Sequence, residues 1–317
     1  MKKISQKVRP RIAGGYVIGV DGGGTKTSAA LADLEGKILK IAQAGPSSPR
    51  NVGPKIAAQN IAKSINKVLK KGKVLSTFIG LAAVEEGPRL KKEVKKELLK
   101  QKEISRIFQG KLKIGSDQII AFRSGTNEKE GVLLIAGTGC VVHGWHKDKE
   151  VHVSGWGWLA DEGSAFWVGQ RAFQAVLKDL DGRGPRTLIT KIVFRELNIK
   201  NEQDLMLKIY SENPVLVIPL FSLFCDKASR KDDRVARNIM TEAGRELVLS
   251  LKTAIKKLNF QRDKFPLVLV GGMFNSGIVL DIVKREIKDF APKVKLIQLK
   301  QGSLRGAVRL AIEEISK

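Results

Sequence analysis

The chain has 317 residues, of which 43% are hydrophobic, and its 57 lysines and arginines outnumber 32 acidic residues to give a formal net charge of +25. The length fits one or two domains, and the apolar content excludes a disordered chain. No apolar run approaches the roughly 20 residues that span a bilayer, and none follows the basic start as in a secretory signal, so we expect a cytoplasmic protein without membrane contact.

The positive charge has two interpretations. In residues 88–106 the lysines alternate with Glu93, Glu97 and Glu103, and several pairs fall at i,i+3 or i,i+4, as on a solvated helix face. A nucleic-acid partner is the alternative. The chain has no zinc finger or RNA-binding signature, which favours general surface charge.

The cysteines and histidines predict no metal centre. Cys140 and Cys225 are the two cysteines, too few for a disulfide framework or a four-ligand site. His143, His146 and His152 fall on predicted strands without ligand spacing along the sequence. We therefore assign none of them to a metal.

Residues 16–27 (Y-V-I-G-V-D-G-G-G-T-K-T) predict a buried strand that enters a tight turn. The turn contains Gly22, Gly23, Gly24, Thr25 and Lys26. Glycines let backbone N–H groups approach a phosphate chain closely, and Asp21 is placed where a hydrated Mg²⁺ ion would bind. Residues 28–44 predict two further strands around a turn at 33–36. Because no helix follows the glycine turn, it is not a Rossmann fingerprint, and because the spacing G-x-x-x-x-G-K-[ST] is missing, it is not a Walker loop.

Regular elements follow in order. We predict a helix over 54–71, a buried strand at 78–83, the lysine-rich helix, and a short strand over 111–117 that ends at Asp117. Residues 125–130 are polar and rich in turn formers, which suits a linker.

The opening pattern then returns. Residues 132–136 predict an apolar strand, and Gly137, Thr138 and Gly139 predict the turn. Two more strands are predicted over 140–145 and 151–154. The same order at 16–44 and 131–154 indicates an internal duplication. Two such halves facing each other would make a cleft with a phosphate-binding turn on each wall.

The rest of the chain is mostly helical. Helical periodicity covers 163–179, 186–197, 201–211, 214–229, 232–258, 275–289 and 303–316. A strand at 267–270 runs into Gly271-Gly272, and another spans 294–299. Tight packing of a helix against a strand, or contact with a nucleotide, would each explain the glycine pair.

Five motifs together carry a resemblance to a known family. D-G-G-G-T-K-T, G-S-D, A-G-T-G, G-W-G-W-L-A-D-E-G-S-A-F-W-V-G and V-G-G-M-F-N-S-G occur in the expected order between about residues 15 and 315. The chain thereby resembles the N-acetylglucosamine kinase / BadF–BadG-type ATPase family of the actin/sugar-kinase/Hsp70 superfamily. The resemblance implies an α/β protein with duplicated ribonuclease-H-like (actin-like ATPase) domains and an interdomain cleft. The implied organisation is a basic tail at 1–14, domains at 15–124 and 125–303, and a C-terminal helix at 304–317 that packs back on the first domain.

The resemblance also implies an activity: transfer of the ATP γ-phosphoryl group, with Mg²⁺, to the 6-hydroxyl of an amino sugar. Asp117 matches the catalytic base, although an aspartate before a helix is also a common cap. Asp21 matches the metal ligand, with a turn-forming aspartate as the alternative. The residues that match the family's nucleotide-binding positions are Gly22, Gly23, Gly24, Thr25, Lys26, Gly137, Thr138, Gly139, Gly271, Gly272 and Ser276. The residues at the family's sugar-binding positions are Ser48, Asn51, Asp117, Cys140, Gly155, Trp156, Gly157 and Asp161.

Several alternatives stay open. N-Acetylglucosamine is the first candidate sugar, followed by glucosamine and N-acetylmuramic acid, because Cys140, Ser48 and the missing glycine before D-E-G-S depart from the family pattern. For Asp161 a helix cap is the alternative role, and we expect Trp156, Trp158 and Trp167 in the core rather than stacked on sugar. The family also implies a homodimer. Rival functions are an ATPase that activates a dehydratase or reductase, for which cluster cysteines are missing, and a non-catalytic sugar- or nucleic-acid-binding protein.

Overall fold

The computed structural model describes residues 15–84, 87–102, 104, 111–300 and 302–316, and the predicted basic tail at 1–14 lies outside them. The described chain forms two compact units. One contains the described residues through Asn127 together with the C-terminal helix, and the other is Glu128–Lys300. None of the described helices combines the length and the apolarity that a bilayer crossing requires.

The first unit is built on a five-stranded sheet in the order β3-β2-β1-β4-β5. Its strands are β1 (Gly15–Gly22), β2 (Thr27–Ala32), β3 (Ile38–Ala44), β4 (Lys73–Leu81) and β5 (Lys111–Ser116). The first three pair antiparallel, as the short turns between them require, whereas β4 pairs parallel with both β1 and β5. The carboxyl ends of β1, β4 and β5 therefore meet at one edge of the sheet.

The helices of this unit begin with α1 (Pro49–Val68), followed by α2 (Pro88–Leu99) and α3 (Asp117–Gly125). α1 starts five residues before the predicted helix, but Gly53 interrupts it with φ 76°, so the regular part does begin at Pro54. Its apolar residues at helical spacing are buried against the sheet in one core cluster. Strand β5 ends at Ser116, one residue earlier than predicted.

The second unit repeats this sheet, with strand order β10-β9-β6-β7-β8. The strands are β6 (Gly131–Ala136), β7 (Cys140–His146), β8 (Lys149–Ser154), β9 (Pro266–Val270) and β10 (Lys295–Gln298). Again the first three strands pair antiparallel and the first, fourth and fifth pair parallel. The predicted internal duplication is thus present in the topology of the two sheets.

Helices fill the long segment between β8 and β9. They are α4 (Ala165–Leu180), α5 (Leu188–Glu196), α6 (Glu202–Ser211), α7 (Pro214–Val217), α8 (Leu220–Ser229) and α9 (Arg234–Lys257), and α10 (Gly277–Phe290) follows β9 after a 3₁₀ turn at Gly272–Asn275. The single helix predicted over 214–229 is two helices that meet at Pro219, which has no N–H to continue the hydrogen-bond ladder. Their apolar faces form one large core with the sheet.

The C-terminal helix, α11 (Leu304–Ile315), packs on the first sheet although it follows the second unit in sequence. Its Ala307 and Ala311 lie in one buried cluster with Val17 of β1. Arg123 of α3 is buried and forms a two-pronged ion pair with Glu313, with Nη1 3.1 Å from Oε2. This pair joins α3 to α11 beside the apolar contact.

Candidate functional site

The first glycine turn, residues 22–26, is fixed to the segment that leads into α1. The carbonyl oxygen of Gly23 accepts hydrogen bonds from the backbone N–H groups of Ser47 and Ser48, at 3.0 and 3.1 Å. Ser48 is the N-cap residue of α1. The turn therefore lies beside the first helical turn of α1, which Gly53 separates from the regular part that begins at Pro54.

The second glycine turn, residues 137–139, has the same relation to α4. The carbonyl oxygens of Gly137 and Thr138 accept hydrogen bonds from the N–H groups of Ala165 and Phe166, at 2.8 and 3.2 Å. A Cβ atom added to Gly137 would meet no atom of the described residues within 4 Å. Each unit thus presents a glycine turn beside the first turn of a helix, and space is open next to Gly137.

Asp161 ties the second turn to the glycine-tryptophan loop. Its carboxylate is buried; Oδ2 accepts a hydrogen bond from Cys140 N at 3.1 Å, and Oδ1 accepts from Gly155 N and Trp156 N at 3.0 and 2.9 Å. Burial raises the pKa of Asp161, and these backbone donors oppose that rise. The cap of α4 is Ser164, which accepts from Trp167 N, so the helix-cap interpretation of Asp161 is wrong.

The pair Gly271-Gly272 lies beside the second turn, because β9 pairs parallel with β6. Gly271 has φ 117°, and a Cβ atom there would lie 2.1 Å from the carbonyl oxygen of Ala136. Only glycine fits this close approach of two backbones. Ser276, at the start of α10, is buried, and its Oγ finds no hydrogen-bond partner within the described residues. An unsatisfied buried hydroxyl calls for a ligand or water partner.

Asp21 and Asp117 lie at the same edge of the first sheet. Asp21 pairs with Gly80 of β4, Gly80 pairs with Gly115 of β5, and Asp117 follows two residues later. Because β4 lies between β1 and β5, two strand spacings separate these two strands, a distance of about 10 Å. Burial raises the pKa of Asp21, against the opposing charge of Lys26.

The cap of α3 is Ser116, whose side chain accepts from Ile119 N at 3.2 Å. Asp117 is the first helical residue rather than the cap. The helix-cap interpretation of Asp117 is therefore wrong as well.

The remaining sugar candidates lie next to these turns. Ser48 is buried, and Asn51 lies against the first turn, with its Nδ2 3.3 Å from where a Cβ on Gly24 would be. Cys140 is buried, its thiol contacts the carbonyl oxygen of Glu162 at 3.1 Å, and burial raises its pKa to about 12. A neutral thiol at this position is a weak donor and not a nucleophile.

The expectation that all three tryptophans are core residues is wrong for Trp156 and Trp158, which are 86% and 36% exposed. Trp158 contacts the ring of Phe166, with centroids 4.6 Å apart. Trp167 is partly buried against the core, and the Arg171 guanidinium lies 4.3 Å from its ring centroid. Trp156 adjoins Asp161 and is the most exposed aromatic residue of this loop.

Two features escaped the sequence analysis. Thr27 and Ser47 form a buried hydroxyl pair below the first turn, with their oxygens 2.7 Å apart, and Thr27 also donates to Gly45 O. The motif D-G-G-G-T-K-T contains Thr27, but nothing local indicates its partner. In the second unit, His143 and His152 meet around Glu150, which their spacing along the sequence did not indicate.

Comparison with known proteins identifies the family. Residues 18–308 match the model of the BadF/BadG/BcrA/BcrD ATPase family. The chain belongs to the BadF/BadG/BcrA/BcrD ATPase family. The predicted membership is thereby confirmed.

Two curated relatives of this BadF/BadG/BcrA/BcrD-type protein are sugar kinases. The chain is 31% identical to an N-acetylmuramic acid/N-acetylglucosamine kinase from Clostridium acetobutylicum, over 94% of this chain and 99% of that protein. It is 30% identical to an N-acetyl-D-glucosamine kinase from Dictyostelium discoideum, over 93% and 97% of the two chains.

Solved structures share the fold. A candidate N-acetylglucosamine kinase from Chromobacterium violaceum superposes with a TM-score of 0.73 at 22% identity, over 93% of this chain and 98% of that chain. A ROK family glucokinase from Streptomyces griseus, solved with glucose and AMPPNP, gives a TM-score of 0.57 at 18% identity, over 94% and 100%. The predicted α/β fold of duplicated actin-like ATPase domains is therefore confirmed.

Proposed function

We propose that this protein is an ATP-dependent kinase that phosphorylates the 6-hydroxyl of an amino sugar, with N-acetylglucosamine as its substrate. One combination of features carries the proposal. Each unit has a glycine turn beside the start of a helix, and Asp117 lies at the carboxyl edge of the first sheet. The identities of 31% and 30% with amino sugar kinases over nearly the whole chain support the same activity.

The phosphates of ATP would be held by backbone N–H groups of the turns at 22–26 and 137–139. The open space beside Gly137 suits an oxyanion, and the helix starts behind both turns favour negative charge. Gly271-Gly272 and the unpaired hydroxyl of Ser276 suit the nucleoside. That both turns bind one triphosphate stays a prediction.

Asp21 suits Mg²⁺, because a carboxylate at a strand end beside a phosphate turn is the ligand that this ion takes in nucleotide sites. The ion, when bound, neutralises charge on the phosphates. The burial that raises the pKa of Asp21 also explains how a cation would be retained there, since an uncompensated carboxylate is costly in that position.

Asp117 would accept the proton of the sugar hydroxyl as that oxygen attacks the γ-phosphorus, a general-base role in an otherwise electrostatic reaction. Sugar contacts are assigned to Ser48, Asn51, Cys140, Gly155, Trp156, Gly157 and Asp161. Asp161 uses three of its roughly four acceptor positions on backbone donors. The backbone N–H of Gly157 also lowers the pKa of Asp161, so this carboxylate orients the loop first and has little acceptor capacity left for a sugar hydroxyl.

The finer assignments belong to this proposal. N-Acetylmuramic acid is the second candidate substrate, since the Clostridium acetobutylicum relative is named for both sugars, and glucosamine is the third. Use of ATP favours a cytoplasmic location. A homodimer stays a prediction. A nucleic-acid partner stays the disfavoured alternative.

The test is an ADP-release assay across hexoses and amino sugars, with the phosphate position of the product assigned by NMR. We expect sugar-dependent ADP release that is fastest with N-acetylglucosamine, a 6-phosphate product, and loss of activity in Asp117→Asn. Asp148→Asn, in the exposed turn between β7 and β8, is the matched control and should remain active. ADP release that does not depend on sugar would favour an ATPase, and no ADP release with any sugar would contradict the kinase assignment.

A further inference from the structure

The hairpin of β7 and β8 presents a cluster of histidine and glutamate side chains that the proposed kinase reaction does not use. His143 pairs with His152 across the two strands, and Trp145 pairs with Glu150. Cross-strand partners, and residues two apart on one strand, point to the same face. All four side chains therefore share one face of the hairpin, while Val142 belongs to the helical core on the other face.

Three of these residues place ligand atoms close together. His143 Nε2 lies 2.7 Å from Glu150 Oε1, and His152 Nε2 lies 4.0 Å from the same oxygen. Ligand atoms from all three side chains fall within 4.8 Å of one another. Ligands of a tetrahedral zinc ion are about 3.3 Å apart, given metal–ligand distances of about 2.0–2.1 Å. The two exposed side chains, Glu150 and His152, would have to shift by on the order of 1 Å to reach that geometry.

We propose that His143, Glu150 and His152 form a site for a divalent transition-metal ion of the zinc class. Two imidazoles and one carboxylate are ligands that Zn²⁺ favours, with water in the fourth position. One carboxylate is too few oxygens for a calcium site and, without phosphate nearby, for a magnesium site. None of the three residues is among those assigned above to nucleotide, sugar or Mg²⁺.

The surroundings of the cluster suit coordination. His143 is fully buried, and its ring lies against the rings of Trp145 and His152, with centroids 3.9 and 3.6 Å away. Glu150 and His152 are 58% and 43% exposed, which leaves a path from solvent.

Trp145 orients the carboxylate from outside the ligand set. Its Nε1–H donates to Glu150 Oε1 at 3.1 Å. Its ring also lies against the ring of His143, with centroids 3.9 Å apart. A donor that holds a ligating carboxylate in place is a usual feature of metal sites and affects affinity by about 10- to 100-fold.

A bound ion would join β7 to β8 close to their turn. The other end of the same hairpin carries Cys140 and Ser154, which flank the loop held by Asp161. The ion would therefore stabilise the hairpin that supports this loop. Because it would bind only the folded chain, it should raise the melting temperature in proportion to the logarithm of its concentration.

The test uses the full chain without a polyhistidine tag, stripped with chelator and dialysed, in buffer with excess Mg²⁺ to occupy oxygen-rich sites. Calorimetric titration with Zn²⁺ should show one ion per chain, and Co²⁺ should give the visible absorption of a four-coordinate ion. His152→Gln and Glu150→Gln should each weaken Zn²⁺ binding more than tenfold, and Trp145→Phe by about tenfold. Both ligand variants change exposed side chains, and circular dichroism checks that they fold.

His146→Gln is the matched control, since His146 is on the same strand but its Nδ1 lies 2.7 Å from the carbonyl oxygen of Leu258. Its Zn²⁺ affinity should equal that of the unchanged protein, and the zinc-dependent rise in Tm should persist. Absence of one-to-one binding, or equal affinity in His152→Gln, Glu150→Gln and the unchanged protein, would overturn the proposal and leave a hydrogen-bonded side-chain cluster.

Discussion

The carboxylate of Asp161 accepts a hydrogen bond from the backbone N–H of Cys140 at 3.1 Å, across 21 residues of sequence. Its other oxygen accepts from Gly155 and Trp156. One buried side chain therefore determines the positions of the second glycine turn and of the loop that carries the exposed Trp156. In an amino sugar kinase of this family, that contact would couple the nucleotide turn to the sugar loop.

Asp161→Asn tests this coupling. An amide has one acceptor oxygen, and its NH₂ group would face a backbone N–H, so at least one buried donor loses its partner. We expect a loss of about 1–3 kcal/mol in the free energy of unfolding and higher KM values for both ATP and sugar. Chemical denaturation and steady-state kinetics measure these effects. A change confined to the KM for sugar would mean that Asp161 binds sugar directly without supporting the turn.

Gly137→Ala and Gly139→Ala form a matched pair in the second turn. Within the part of the chain that the structure describes, a Cβ on Gly137 meets no atom within 4 Å, whereas one on Gly139 would lie 2.6 Å from Asp161 Oδ2. Gly137→Ala should leave Tm unchanged but raise the KM for ATP by about tenfold, because the methyl group occupies space proposed for phosphate. Gly139→Ala should cost about 1–3 kcal/mol of stability. An unchanged KM for ATP in Gly137→Ala would remove the second turn from the nucleotide site.

Asp117→Asn separates catalysis from binding. The amide cannot accept the hydroxyl proton, and general-base catalysis contributes about 10²–10⁴-fold. We expect kcat to fall by that factor while ATP still binds, as followed by calorimetry with a non-hydrolysable analogue. Full turnover in this variant would exclude Asp117 as the base.

Asp21→Asn should stabilise the ligand-free protein while it impairs the enzyme. Burial raises the pKa of Asp21 above its usual 3.8, so its contribution to stability is full below that value and is lost as pH rises through the folded-state pKa. At pH 7.5 the neutral amide removes this cost, and Tm should rise by on the order of 2 °C. Activity should fall and need more Mg²⁺. A lower Tm at pH 7.5 would contradict the buried-charge argument.

Both cysteines should resist alkylation in the folded protein. Burial raises the pKa of Cys140 to about 12 and raises the pKa of Cys225 further, so neither forms appreciable thiolate at pH 8. A thiol reagent should label neither cysteine at pH 8 and both in denaturant. Rapid labelling of Cys140 without denaturant would show that the second turn opens to solvent.

The sequence by itself determined the strands, most helices, the duplication and the family, because these depend on local patterns. Alternation and helical periodicity predict elements wherever one face is buried, and the glycine turns are contiguous in sequence. Even the wrong details were local: the helix over 214–229 contained a proline, and Ser116 competed with Asp117 for the cap.

The tertiary structure decided which side chains meet. The three hydrogen bonds to Asp161, the Thr27–Ser47 hydroxyl pair and the cluster of His143, Glu150 and His152 all join residues on different elements. A one-residue change in the register of β7 and β8 would move His152 to the other face of the sheet. Strand register and turn geometry set these contacts, and they depend on packing across the whole domain, which no local window of sequence contains.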